Sequence, residues 1–156
     1  MSKLHHEITI DAPVQRVWQV LSNLEDVENY NPLVSQARYV SANREGVGAA
    51  RRCEFKPKGF GVERVVEWRP EETLGIELVE SSWPLKSSSW RTKLRPDDGR
   101  TLVSQDLEYE PKWGIVGTLM DALMMRRKMD QSVAEIFVGL KEFAERGQRV
   151  SAETRS

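Results

Sequence analysis

Arg51 and Arg64 are the residues of this chain best placed to do chemistry, because alternation along their segments puts both among inward-facing apolar side chains. A buried guanidinium is costly unless it meets an anion or reaches water. Each is therefore a candidate anchor for a carboxylate or phenolate on a bound molecule. Two structural accounts compete with that reading: a β-bulge that shifts the strand register, or pairing with Glu80. Ser88, Thr92, Gln105 and Tyr109 share the inward parity, a more polar set than a sealed core tolerates unpaired. Trp68 and Trp90 stand at inward parity on separate segments, where they either stack on a ring system or fill the core. Phe60 falls on the same parity as Trp68, and Met120, Met124, Met125 and Met129 cluster near the start of the last helical stretch. Methionine adapts to ligands of varied shape. The candidate ligand-binding set is accordingly Arg51, Phe60, Arg64, Trp68, Ser88, Trp90, Gln105, Tyr109, Met120 and Met124.

Other reactive residue types carry less. His5 and His6 are adjacent on a strand, so they point to opposite faces and cannot grip one metal ion together. His6, or Glu80, is the only candidate for an inward base. Cys53 has no evident partner for nucleophilic catalysis and reads as a small buried apolar side chain. Ser87-Ser88-Ser89 lacks the glycines of a nucleophile elbow. Asp97-Asp98-Gly99 reads as a turn, Asp106, Glu108 and Glu110 as a solvated strand face, and Arg126-Arg127-Lys128 as the outer side of a helix. No cofactor and no metal site is expected.

The bounds on the chain narrow its class. With 156 residues it has the length for one domain with a real core. A net charge of -1 and a pI near 6.2 supply no global basic field, which argues against a nucleic-acid binder. One cysteine excludes an intramolecular disulfide and fits a reducing compartment. The N-terminal MSKLHHEITI is charged where a secretory peptide is apolar, and no stretch approaches a membrane span. The expectation is a cytoplasmic protein without membrane insertion, with a homodimer left open.

These residues must be positioned by strands. Leu4, His6, Ile8 and Ile10 alternate as a first strand. Asp11-Ala12-Pro13 then offers a helix start, with Val14, Val17, Trp18 and Leu21 on one face. Ser22 and Glu25 have capping-box spacing for a second short helix that stops before Pro32. From Ser35 onward, turn signals at 43–48, 57–61, 70–75, 81–84 and 96–99 separate six further strands, apolar on one face and wet on the other. A helix expected from Thr118 to Arg146, ended by Gly147, covers the apolar face through Val133, Ile136, Phe137, Leu140 and Phe143. Residues 1–147 make one domain, and 148–156 read as a flexible tail.

The stretch Ile8-Thr9-Ile10-Asp11-Ala12-Pro13-Val14-Gln15-Arg16-Val17-Trp18-Gln19-Val20-Leu21, together with this element order, resembles the START-like superfamily that includes polyketide cyclase and dehydrase-like and Bet v 1-like proteins. The resemblance implies an α+β helix-grip fold, with a curved seven-stranded antiparallel sheet wrapped around a long C-terminal helix and two short helices after strand 1. It also implies a cavity between sheet and helix. Three functions follow as expectations. The first is binding of an apolar or aromatic small molecule, lipid or polyketide-like. The second is catalysis of the aromatase, cyclase or dehydratase kind, promoted by Arg64, Tyr109 or Ser88. The third is a protein-partner module using the outer sheet face or the Trp83-Pro84 loop.

Overall fold

A computed structural model describes residues 2–112 and 124–150. Seven strands form one antiparallel sheet: β1 Ser2–Ile10, β2 Val34–Tyr39, β3 Ala50–Phe55, β4 Phe60–Arg69, β5 Thr73–Ser81, β6 Leu85–Asp97 and β7 Arg100–Pro111. Their spatial order is β1-β7-β6-β5-β4-β3-β2, so five hairpins run in chain order and the first strand closes against the last. The link from β1 to β2 must cross the whole sheet. It does so through α1 (Val14–Ser22), a 3-10 turn (Leu24–Asp26) and α2 (Val27–Tyr30). The long C-terminal helix α3 (Arg126–Arg146) lies in the grip of the sheet. This is the helix-grip fold expected from the sequence. The expected start of the last helix at Thr118 lies outside the described residues.

The inner face follows from alternation. Leu4 and Ile10, Cys53 and Phe55, Leu74 and Ile76, Leu94, Val103, Leu107 and Tyr109 are buried against Val133, Phe137, Leu140 and Phe143 of α3. The outer face is a charged ladder. Arg91 donates two hydrogen bonds to Glu67, at 2.6 and 2.9 Å, and His5 meets Asp106 at 2.7 Å. Lys3 stands 3.6 Å from Glu108. Water and salt screen exposed pairs, so they keep this face wet more than they hold the fold. Gly147 ends α3 in the left-handed region at φ 67, and its N–H bonds the Phe143 carbonyl, as the sequence leads one to expect. No described helix is long and apolar enough to cross a membrane.

Two local expectations need correction. Asp11 does not cap α1: Pro13 occupies the N-cap position, and the Asp11 N–H instead donates to Glu145 Oε2 at 2.6 Å. The Ser22–Glu25 box also does not form, because Asn23 takes the cap position without a side-chain bond.

A third correction bears on function. Alternation along β4 predicts an inward row of Phe60, Val62, Arg64, Val66 and Trp68. The shift at Val62/Glu63 adds its extra residue on β5, and up to Val65 the strand alternates with the opposite parity. The register shift between Val65 and Glu67, where Val66 is the extra residue on β4, reverses it. Glu63 and Val65 are buried instead, and Val66 is exposed. Arg64 is exposed on the outer face and pairs with Glu77. Phe60 packs under the Arg52 guanidinium, 4.1 Å from its ring centre. Beyond the second shift Trp68 returns to the core side.

Candidate ligand cavity

A cavity of about 150 Å³ lies between the inner sheet face, α2 and α3. Its walls are mostly apolar, with Leu74, Ile76 and Trp90 from the sheet and Val133, Phe137 and Leu140 from the helix. A void of about this size, lined by aliphatic and aromatic groups, accepts a benzene-sized ring. At one end Trp83 stacks on Phe55 with ring centres 4.3 Å apart, and both border the cavity with Leu33 and Leu85.

Two polar groups interrupt the apolar wall. The first is a buried ion pair. Arg51, 4% exposed, donates from Nε to Glu63 Oε1 at 2.7 Å and from Nη1 to the Leu24 carbonyl at 3.1 Å. The hairpin between β3 and β4 sets Arg51 directly opposite Glu63. Burial is the largest single influence and favours the neutral guanidine, but the Glu63 carboxylate and smaller contributions from Cys53 and Tyr30 together outweigh it, so the Arg51 pKa is raised. Tyr30 lies against this pair, and burial raises its phenol above the ordinary value. Cys53 Sγ is 3.8 Å from Glu63 Oε1, and burial followed by the Glu63 charge pushes its thiol up to about 12. Folded protein should therefore resist alkylation by iodoacetamide at about pH 8, where a free cysteine reacts. Rapid labelling of Cys53 under native conditions would contradict its burial beside Glu63.

The second group is a row across β6 and β7, in which Gln105 Nε2 donates to Thr92 Oγ1 at 3.0 Å. Ser88, Thr92 and Gln105 all border the cavity. His6 stands beside this row as the strand partner of Gln105, with Nε2 2.8 Å from Asp130 on α3. Among the described residues, no three His, Cys, Asp or Glu side chains gather as a metal site.

The structure thus brings Arg51, Ser88, Trp90 and Gln105 of the expected set to one cavity. It places Phe60 and Arg64 on the outer face, and Trp68 edge-on to Trp18, ring centres 5.2 Å apart, outside the cavity. Tyr109 is fully buried and is not among the lining residues. Met124 is 58% exposed, Met129 lines the cavity, and Met120 lies outside the described residues. Glu80 is exposed. The residue missed in the sequence is Glu63. A turn centred on Pro57 puts Arg51 opposite Glu63, and an inward Arg calls for an inward carboxylate. Those two signals together could have found it.

Residues 1–145 match the family profile described as "Polyketide cyclase / dehydrase and lipid transport". Among solved structures, a protein of Thermus thermophilus is similar at 24% identity and TM-score 0.77, over 92% of this chain and 97% of that one. A START superfamily protein from Mycobacterium smegmatis is similar at 14% identity and TM-score 0.76, over 91% and 96%. Ara h 8.0201 is similar at 16% identity and TM-score 0.73, over 92% and 97%. At these identities the likeness shows the fold alone. No curated protein sequence matches the chain.

Proposed function

Since the chain belongs to the polyketide cyclase/dehydrase and lipid transport family, we propose that it binds a compact apolar or aromatic molecule in the cavity between sheet and α3, with a polar end of the ligand at Arg51 and Glu63. The observation that carries this reading is the apolar cavity of about 150 Å³ with one buried ion pair in its wall. An apolar wall supplies affinity by removing ligand surface from water, about 25 cal/mol per Å² before the costs of association. A few fixed polar groups then orient the ligand. Arg51 and Cys53 both address Oε1 of Glu63, so Oε2 is the atom that accepts a ligand hydroxyl. The volume favours a ring-sized ligand over a long acyl chain.

A second reading rests on the same pair. A guanidinium that polarises a carbonyl beside a carboxylate that takes a proton is the combination needed for aldol closure and loss of water. Incubation of the bound compound decides between the readings, since a carrier returns it unchanged.

Native mass spectrometry of gently purified protein, followed by solvent extraction, tests the first reading. A stoichiometric apolar adduct is the expected result. Ile76→Phe extends a ring into the cavity and should abolish the adduct while shifting the melting temperature by only a few degrees. Arg64→Ala, on the outer face, should leave the adduct intact. A protein that carries nothing and ignores a panel of substituted benzenes and naphthalenes would overturn the proposal.

A further inference from the structure

The strand directions gather one set of loops at the end where Trp83, Leu33 and Leu85 border the cavity. The β3–β4 turn, the β5–β6 turn, the start of β1, the end of β7 and the start of α3 all meet there. Their charges are predominantly basic. Lys56 and Lys58 lie on the first turn, Lys86 begins β6 next to the second, and Lys112 follows β7, its N–H bonded to the Pro84 carbonyl. Arg126, Arg127 and Lys128 open α3, and all three are exposed. Glu54, Glu80, Glu108, Glu110 and Asp130 are the described acidic residues nearby; Glu54 is taken by Arg52, Asp130 meets His6, and Glu108 and Glu110 face Lys3 and Lys86. Among the described residues Lys58, Lys112, Arg127 and Lys128 form no ion pair. The opposite end mixes Glu71, Glu72, Asp97 and Asp98 with Arg69, Arg95 and Arg100, so it has no comparable excess. A chain with net charge -1 therefore carries a basic collar on one end only, around the apolar rim of its cavity.

We propose that this collar docks the cavity end on an anionic bilayer, so that the ligand passes between membrane and cavity without crossing water. The inference rests on the ligand-binding reading for its purpose and on the charge distribution for its geometry. Cations around a rim that also presents a tryptophan and the exposed Met124 match a lipid interface, where headgroup phosphates meet the cations and the apolar groups enter the headgroup layer. An acidic protein surface would match the charges but not the apolar rim. An apolar ligand concentrates in bilayers, so a bilayer also supplies the cargo. Because the whole chain is close to neutral, attraction acts only within about 10 Å at ordinary ionic strength and only when this end faces the surface.

Vesicle sedimentation tests the proposal on the full chain. The wild type should pellet with phosphatidylcholine vesicles that contain phosphatidylserine, stay in solution with phosphatidylcholine alone, and be released by added salt. Each basic side chain near an anionic surface contributes about fivefold, so the exposed triple change Lys58→Glu, Arg127→Glu and Lys128→Glu should weaken binding by well over tenfold. Lys93→Glu with Arg95→Glu, remote from the collar, should bind as the wild type does. Absence of phosphatidylserine-dependent binding overturns the proposal, as does an equal loss in the remote variant. Polyglutamate that captures the protein as well as the vesicles do would assign the collar to an acidic protein instead. Ile76→Phe separates the two readings, since a blocked cavity should still dock. Conversely, an adduct in native mass spectrometry without vesicle binding keeps the ligand reading and overturns only the docking.

Discussion

Glu63→Ala should destabilise the protein by about 3–5 kcal/mol, because it leaves the Arg51 guanidinium buried without its anion. For a domain of this size that corresponds to a fall of roughly 10 °C in melting temperature. The loss measures the exposed penalty of one charge and not the worth of the pair. Taking both charges out of water was itself costly, and an isosteric apolar replacement often recovers that cost. Arg51→Met with Glu63→Leu should accordingly be near neutral, or more stable than the wild type by about 1–4 kcal/mol. If both variants fold, their ligand behaviour separates structure from function. The double variant keeps the apolar wall but loses the polar end, so it should retain binding of an unsubstituted ring and lose preference for one that bears a hydroxyl. Urea titrations of the two variants check the stability part. A Glu63→Ala midpoint within about 1 kcal/mol of wild type, the range of exposed pairs, would show that Arg51 reaches water. Its role as a fixed anchor would then fail.

The same pair marks where the sequence is legible and where it is not. Alternation identifies the inward residues of β1, β3, β5, β6 and β7, since on those strands one face is buried and a one-residue slip would expose it entirely. Arg51, Ser88, Trp90 and Gln105 are legible for that reason. Strand β4 defeats the rule because one extra residue, Val66, lies between Glu63 and Val65, which face in with Arg64 facing out, and Trp68, which faces in on the opposite parity. A period of two has no way to represent an inserted residue. Hairpin geometry is the better guide there, because the turn at Pro57 sets the opposing residues whatever their hydrophobicity. Helix caps mislead for a related reason. Asp11 has the composition of a cap, yet its backbone is committed to Glu145 on a helix 134 residues away in the chain. A local pattern cannot see such a partner.

Gly139→Ala tests how the cavity is closed, and here two effects of opposite sign compete. On helix propensity alone the change should stabilise α3 by about 1 kcal/mol. Sterics say otherwise, because a Cβ at this position would lie 2.0 Å from the Tyr30 carbonyl oxygen and 3.1 Å from Val150 Cγ1. The obstacle is backbone at the end of α2, not the tip of a side chain that could rotate away. The helices must separate by roughly 1 Å or more to restore an ordinary contact. Overpacking typically costs about 1–3 kcal/mol, and more where the backbone itself has to move. Sterics should therefore win, with a net loss of about 2 kcal/mol in urea titration. The displacement should also reach the cavity, because Tyr30 lines it and lies against Arg51. Ligand affinity should fall with stability in Gly139→Ala, while Val138→Ala on the exposed side of the same helix should change neither appreciably. A Gly139→Ala protein more stable than wild type would mean that propensity governs this position. The close approach of α2 to α3 would then have to be given up.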